Sequence, residues 1–381
     1  MKDLTKGKPS ALILSFALPI FLGNLLQLTY SLVDTRIVGS FLGEDALAAV
    51  GATSTLSGLI IGFLLGLSNG FAIITAQKFG ANIADMKKSF AMSLVIGTGI
   101  SILFTIAGLL FLKPILHFLN VPKHLVPVAK GYIAIIIAGL LATFLYDACA
   151  ATLRAIGDAV TPLIILAISV ALNIVGDLFF VVVLKTGVKG AAIATVLAQI
   201  IAFVICWIYM IRKYEILRLQ KEDFKDSSPI MVKEMISAGM SMGFMSSLVN
   251  IGTLTLQTAI NKLGKDIIIA HTAARKITEI FMIMFSVFGQ TMATYCGQNV
   301  GAGKIDRVKR GIWLAIVYTA IWSGLTIIAS YTIGGWLVYL VTGSHNKTVI
   351  LNATNYLKFD TLFYIVTTLI CILRNAMQGL G

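Results

Sequence analysis

The sequence predicts an all-α protein that crosses a lipid bilayer many times. Hydrophobic residues make up 57% of its 381 residues and charged residues only 12%, and the mean hydropathy is +0.91. Soluble globular domains do not have this composition. The second observation is the length of the apolar stretches, since about 20 apolar residues suffice for a helix to cross the hydrocarbon. Ten such stretches fall near residues 11–38, 46–77, 90–112, 126–153, 162–184, 190–211, 234–261, 268–298, 311–341 and 350–377.

The first stretch carries polar residues on one side of an otherwise apolar helix. They recur at steps of three and four residues, as Asn24, Gln27, Ser31 and Asp34. An unpaired polar group in lipid is costly, so this stripe is predicted to face other helices or a water-filled cavity. Acids inside membrane segments are by default candidates for function, which singles out Asp34. The alternative is a hydrogen-bonded seam that only joins helices.

The formal charge of +13 is interpreted as membrane topology rather than nucleic-acid binding. Loops assigned alternately to two sides carry more Lys and Arg on the side of the N-terminus, which predicts a cytoplasmic N-terminus in the cell membrane. The longest loop is basic, with Arg212, Lys213, Arg218, Lys221, Lys225 and Lys233. Contact of this loop with anionic headgroups is expected. We therefore expect the lipid bilayer as a partner, and no nucleic acid.

Two patterns recur at one offset, which indicates an internal duplication. Gln77-Lys-Phe-Gly-Ala81 and Gln298-Asn-Val-Gly-Ala302 stand 221 residues apart, as do Leu42-Gly-Glu-Asp45 and Leu263-Gly-Lys-Asp266. The predicted organisation is an N-terminal lobe of six helices at 1–211, a cytoplasmic linker at 212–233 and a C-terminal lobe of four helices at 234–381. An even number of crossings in the first lobe gives both copies the same orientation.

Several short motifs, distributed over essentially the whole chain, carry a family resemblance. They are Pro19, Asp34-Thr-Arg-Ile-Val-Gly39, Gln77-Lys-Phe-Gly-Ala81, Leu153-Arg-Ala-Ile-Gly-Asp158 with Thr161-Pro162, Asn173-Ile-Val-Gly-Asp177, Gly187-Val-Lys-Gly-Ala-Ala-Ile-Ala-Thr195 and Gln298-Asn-Val-Gly-Ala302. In this order they resemble the MATE family of multidrug and toxic compound extruders. The pattern is closest to its DinF-like branch.

The resemblance implies two six-helix lobes around a central cavity, so that two helices of the second lobe are absent from this chain. It implies export of amphiphilic, often cationic, organic compounds in exchange for Na+ or H+. It also implies a monomer that needs no cofactor and is not an enzyme.

A candidate cation site lies in the first lobe. Asn173 and Asp177 are one helical turn apart, and their oxygens suit a hard cation. Two residues are too few, and the residues alone leave open whether Asp34 and Thr195 meet them. The resemblance implies that Asp34, Asn173, Asp177 and Thr195 together form the coupling site, which can hold Na+. The alternative is that the two acids share a proton or pair with buried Arg side chains and only hold the lobe together.

Three polar residues of the first stretch, Gln27, Tyr30 and Ser31, are predicted to contact the substrate. Pro19 interrupts the hydrogen-bond ladder of this helix and is predicted to act as its bend point. The hypothesis is that cation or proton occupancy at the acids changes the packing of this helix and so tips the transporter between inward-open and outward-open states.

The second lobe departs from the first because Thr255 stands at the position equivalent to Asp34. With no acid after Glu234 at the start of the stretch at 234–261, and none deep in the last stretch, coupling is assigned to the first lobe. Two further pairs, Arg275 with Glu279 and Asp147 with Arg154, are predicted to be structural ion pairs at helical spacing.

Three other functions were weighed. A lipid-linked precursor flippase shares the lobed architecture but needs a strongly cationic cavity. An intramembrane enzyme is disfavoured because the chain contains no HExxH motif. An ion channel is disfavoured because no segment resembles a selectivity filter.

Overall fold

The computed structural model describes residues 3–119, 121–224, 228–260, 263–343 and 346–381. Lys225 of the basic loop lies outside these ranges. Within them the regular structure is helical, which confirms the predicted all-α class. The helices are α1 (Pro9–Leu42), α2 (Glu44–Ala81), α3 (Ile83–Leu110), α4 (Leu112–Phe118), α5 (Val126–Ala138), α6 (Leu140–Ala155), α7 (Val160–Asp177), α8 (Val188–Lys213), α9 (Pro229–Ile260), α10 (Lys265–Gly301), α11 (Ile305–Thr332), α12 (Gly334–Thr342), α13 (Lys347–Leu362) and α14 (Tyr364–Leu380).

Each predicted stretch is helical in its described part, but several are interrupted, and two of these interruptions are sharp bends. In the described part of the chain, seven helices are long and apolar enough to span a membrane, and two bent pairs bring the total to nine. The pair α5 and α6 bends by 44°, and the pair α13 and α14 by 49°. A Cβ atom on Gly139, between α5 and α6, would lie 2.4 Å from Val196 Cγ2. Helix α8 therefore packs directly against the first bend.

The described chain forms two compact units. The described residues of the first are Asp3 and those within 22–248, and those of the second lie within 4–21 and 249–381. Each unit thus contains a part of α1 and a part of α9. These two units are defined by contacts between residues, whereas the lobes predicted from the sequence are defined by the internal repeat.

Helices α2 and α9 approach closely through glycines inside the first unit. A Cβ atom on Gly66 would lie 2.5 Å from the carbonyl oxygen of Met242, and one on Gly70 would lie 2.5 Å from that of Ala238. Small residues allow such backbone contact between membrane helices, where van der Waals packing drives association.

The turn between α6 and α7 is fixed by Asp158, whose side chain is only 7% exposed. Its Oδ1 accepts from the Thr161 amide at 3.0 Å, and its Oδ2 accepts from Thr161 Oγ1 and Tyr214 Oη, both at 2.6 Å. Burial alone raises the pKa of this carboxyl group, but the three hydrogen bonds outweigh it and hold the pKa below its ordinary value. The ionised carboxylate therefore sets where α7 begins.

The second unit contains an N-terminal strap, residues 4–7, that lies on the turn between α10 and α11. The Leu4 amide donates to Gln298 Oε1 at 3.0 Å, and Lys304 Nζ donates to the Thr5 carbonyl at 2.9 Å. Arg307 donates to the carbonyls of Leu4 and Gly7 at 3.1 and 2.8 Å. The strap and the first part of α1, which follows it, thus belong to the second unit.

We expect Asp158→Asn to destabilise the protein by about 1–3 kcal/mol at neutral pH, because charge-assisted bonds to Thr161 and Tyr214 are lost. The wild-type advantage is present above the ordinary pKa of 3.8 for an aspartate and disappears as the pH falls through the lower pKa of the folded state. Thermal unfolding in detergent at pH 7 and pH 3 measures this difference, with the exposed Glu222→Gln as control. A difference that does not shrink at low pH would contradict the assignment.

We expect Arg307→Gln to release the strap, because it removes two hydrogen bonds from a charged donor, each worth about 1.5–3 kcal/mol. Hydrogen exchange of the Leu4 amide should then accelerate by at least about 100-fold. Peptide-level exchange with mass spectrometry tests this. Arg310→Gln, an exposed position on the same helix, is the control and should leave the exchange unchanged. Full protection of Leu4 in Arg307→Gln would show that the strap is held by other contacts.

Candidate functional site: a buried carboxyl pair in the first unit

Three helices of the first unit bring the predicted cation-site residues together. Asp34 lies on α1, Asn173 and Asp177 on α7, and Thr195 on α8. Helices α7 and α8 are in close contact here, since a Cβ atom on Gly176 would lie 3.0 Å from that of Ala194. The approach depends on two small residues next to Asp177 and Thr195.

The side-chain amide of Asn173 is central to the hydrogen bonds at this site. With its amide turned so that both polar atoms find partners, Nδ2 donates to Asp177 Oδ2 at 3.0 Å and to Tyr30 Oη at 3.1 Å, while Oδ1 lies 3.2 Å from Thr195 Oγ1. The hydroxyl of Thr195 also donates to the Ala191 carbonyl at 3.0 Å. One amide therefore joins α1, α7 and α8.

The carboxyl groups of Asp34 and Asp177 lie close enough to interact electrostatically. Asp177 is fully buried. The Oδ1 atoms of both residues are buried and have no hydrogen-bond partner among the described residues. Two ionised carboxylates in contact repel each other, so the pair needs a proton or a cation between its oxygens.

The chemistry of the donor set suits a proton or a hard monovalent cation. The side chains supply carboxylate, amide and hydroxyl oxygens, which hard cations prefer. Three or more His, Cys, Asp or Glu side chains do not gather at any point of the described ranges. With only two acids, the fit to Na+ or H+ is better than the fit to a divalent or transition-metal ion.

Two tyrosines complete the site. The hydroxyl of Tyr30 accepts a hydrogen bond from Asn173 Nδ2 at 3.1 Å, and the contact of Tyr30 with substrate stays a prediction. Tyr132 on α5 interacts electrostatically with both Asp34 and Asp177. Sequence reasoning missed Tyr132 as a site residue, because only the packing of α5 against α8 reveals it. Its one signal in the sequence is a polar group inside an apolar stretch.

Directly after Asp177, the chain continues as a π-helical turn, Leu178–Val183. The Leu184 amide donates to the Phe179 carbonyl at 2.9 Å, a step of five residues. π-helical turns are rare and occur frequently at functional sites. The turn changes the helical register immediately next to the carboxyl pair, and apolar periodicity did not predict it.

Other predicted residues of α1 are not part of this cluster. The side chains of Gln27 and Ser31 are exposed, and their contact with substrate stays a prediction. Pro19 lies inside α1, which is assigned as one helix from Pro9 to Leu42. Its role as a bend point also stays a prediction.

Two predicted ion pairs have different partners. Glu279 pairs with Lys276 at 3.5 Å rather than with Arg275, because a spacing of three residues also places charges side by side on a helix. Arg154 Nη2 donates to Asn69 Oδ1 at 3.3 Å on α2, and only a longer-range electrostatic interaction links it to Asp147. Asn69 is distant in sequence, so helical spacing alone did not reveal it.

The second unit does hold an acid in its last segment, contrary to the prediction. Asp360 on α13 accepts from Tyr364 Oη at 3.0 Å across the break between α13 and α14. Arg275 on α10 interacts electrostatically with the same carboxylate. Asp360 lies near the end of α13, next to the break. The sequence prediction considered only acids deep within an apolar stretch and therefore missed it.

A many-times-spanning helical chain with a buried, incompletely satisfied carboxyl pair belongs to the class of membrane transporters rather than enzymes. A family model, MatE, matches residues 19–179 and 241–381. The chain belongs to the MatE family. The two matches agree with an internal duplication.

Individual relatives agree with this assignment. The chain is 29% identical over 384 residues to the probable multidrug resistance protein YpnP of Bacillus subtilis, with 100% of this chain and 84% of the relative covered. It is 25% identical to the DNA damage-inducible protein F of Escherichia coli, covering 86% of this chain and 70% of that one. The solved outward-facing structure of a multidrug resistance MATE family transporter superposes with a TM-score of 0.91 at 21% identity, over 100% of this chain and 84% of that chain.

We expect Asp34→Asn to stabilise the purified protein in Na+-free buffer by about 1–4 kcal/mol, because removing one charge relieves the repulsion in the buried pair. Thermal unfolding in choline buffer, followed by addition of Na+, provides the measurement. Asp45→Asn, which removes an exposed acid from the same unit, should have no effect. If Asp34→Asn is instead less stable than the wild type in Na+-free buffer, the pair is a structural contact and not an ion site.

Proposed function

We propose that this chain exports amphiphilic organic compounds, often cationic, in exchange for Na+ or H+ bound by Asp34, Asn173, Asp177 and Thr195. The observation that carries the proposal is the pair of buried carboxyl oxygens without hydrogen-bond partners. Names of relatives that include multidrug resistance and multidrug export proteins support the substrate class. In this proposal the protein acts as a monomer in the plasma membrane with its N-terminus in the cytoplasm.

The amide of Asn173 connects Asp177 to Thr195. Its Nδ2 donates to Asp177 Oδ2 and so partly neutralises that carboxylate, while its Oδ1 accepts from the Thr195 backbone amide at 3.0 Å. In the proposed mechanism, the bound proton or cation neutralises the charge that remains on the carboxyl pair.

Helix α1 connects the site to the rest of the protein. Its second part carries Asp34 and Tyr30 in the first unit, while its first part belongs to the second unit. Pro19 stands close to this boundary and removes one backbone donor. In the proposed mechanism, occupancy at Asp34 changes the contacts of α1 with α7, and the change passes along α1 through Pro19. The affinity for substrate then differs between the two states of the transporter.

The available driving force is sufficient for such a shift. One charge that moves through 100 mV supplies about 2.3 kcal/mol, and one pH unit supplies about 1.4 kcal/mol. Together they bias a two-state equilibrium by more than 100-fold. The proposed substrate contacts are Gln27, Tyr30 and Ser31. Because Tyr30 also touches Asn173, it links the substrate to the cation site.

We expect Asp34→Asn to reduce ion-driven efflux by at least about tenfold, because the variant cannot release and rebind a charge at the site. The assay is efflux of a fluorescent cationic dye from proteoliposomes under an imposed Na+ gradient and, separately, an imposed H+ gradient. Asp45→Asn serves as the matched control and should transport normally. Undiminished efflux by Asp34→Asn under both gradients would refute the proposal. The gradient that drives wild-type efflux identifies the coupling ion.

A further inference from the structure

The last two turns of α8 reach the boundary of the bilayer. Helix α8 has 26 residues, and a rise of 1.5 Å per residue gives a length of about 39 Å. The hydrocarbon core is only about 30 Å thick. The segment that ends at Lys213 is therefore expected at headgroup level, on the side that holds the N-terminus after six crossings.

A surface groove runs along these turns. Its volume is about 550 Å³, and its lining residues are Ile205, Ile208, Tyr209, Arg212 and Lys213. Their spacing of three and four residues places them on one helix face. Along this face, two isoleucines come first, then a tyrosine, then two cations. Ile208 is 41% exposed and Tyr209 36% exposed, so the groove is open to the surroundings.

One cation of the groove, Lys213, is held in place by other residues. Lys213 Nζ is hydrogen-bonded to Tyr209 Oη and lies 5.4 Å from the centroid of the Tyr214 ring. Tyr214 in turn donates to Asp158 Oδ2 at 2.6 Å. Arg218 folds back onto the same helix end, where its Nε donates to the Ile211 carbonyl at 2.8 Å. A positioned cation loses less side-chain entropy when it binds a ligand.

The acids near the groove are already engaged. Both oxygens of Asp158 accept hydrogen bonds from Thr161 and Tyr214. Glu215 forms an ion pair with Arg218 at 3.7 Å. The charge that Arg212 and Lys213 present to the groove is therefore positive.

We propose that this groove binds an anionic phospholipid, with its phosphate on Arg212 and Lys213 and an acyl chain on Ile205 and Ile208. The order of apolar, aromatic and cationic side chains matches the order of groups along a lipid that stands in the membrane. The guanidinium of Arg212 offers paired donors for phosphate oxygens. A water-soluble anion would leave the two isoleucines without a partner.

Native mass spectrometry of the detergent-solubilised chain, titrated separately with phosphatidylglycerol and phosphatidylcholine, tests the proposal. We expect the double variant Arg212→Gln, Lys213→Gln to bind phosphatidylglycerol about fivefold more weakly per charge removed, equivalent to about 1 kcal/mol each. Binding of phosphatidylcholine should not change. The matched control is Lys309→Gln, Arg310→Gln, which removes two exposed charges from α11 in the second unit. An equal loss in both double variants would mean that the lipid responds to net charge alone, and would overturn the proposal.

The acyl-chain contact has its own test. Ile208→Ser keeps every charge and should also weaken the binding of phosphatidylglycerol, whereas glycerol 3-phosphate should compete poorly with the lipid. If glycerol 3-phosphate displaces the lipid at equal concentration, or if Ile208→Ser binds like the wild type, the groove holds no acyl chain and the proposal is wrong. The single variant Arg212→Gln, at an exposed position, gives the same readout if the double variant does not fold.

Discussion

The structure depends on the cost of keeping two carboxyl groups inside a membrane helix bundle. Water would solvate such groups, whereas the interior offers Asp34 and Asp177 each other, one amide and a hydroxyl. Two unpaired negative charges in contact are unfavourable. If fixed hydrogen-bond donors satisfied every carboxyl oxygen, the site would have no oxygen left to bind a proton or a cation. The observed site is partly satisfied and so lies between these two cases. Two carboxyl oxygens have no hydrogen-bond partner among the described residues, and in the proposed mechanism a mobile cation or proton balances their charge.

The rest of the first unit holds these groups at the required distance. Small residues let α7 and α8 approach beside the site, and Asp158 sets the start of α7 from the other end of the helix. The π-helical turn after Asp177 shifts the register of the next residues. A site that depends on one amide, Asn173, is sensitive to small movements of any of the three helices. This sensitivity suits the proposed coupling site, where a local change in charge must alter the packing of helices elsewhere in the protein.

In the proposed mechanism, helix α1 transmits the change in charge at the site. It carries Asp34 in one compact unit, and its other end follows a strap that is hydrogen-bonded to Lys304 and Arg307 in the second unit. A helix is stiff along its axis. A displacement at one end of α1 is therefore transmitted to the other end, unless the helix bends at a position between the two ends. Pro19 provides the position where the backbone ladder is weakest. The groove on α8 is the proposed site at which an anionic lipid of the membrane binds the first unit.

The sequence by itself determined the helices, the duplication and the membership of the family. These properties depend on local chemistry, since apolar length sets a membrane span and a period of 3.6 residues sets a face. It did not determine which side chains meet. Arg154 bonds to Asn69 and Glu279 pairs with Lys276, because several partners are compatible with helical spacing. Only the packing of distant helices brought Tyr132 to the acids and bent two spans, since those contacts join residues that are far apart in the chain.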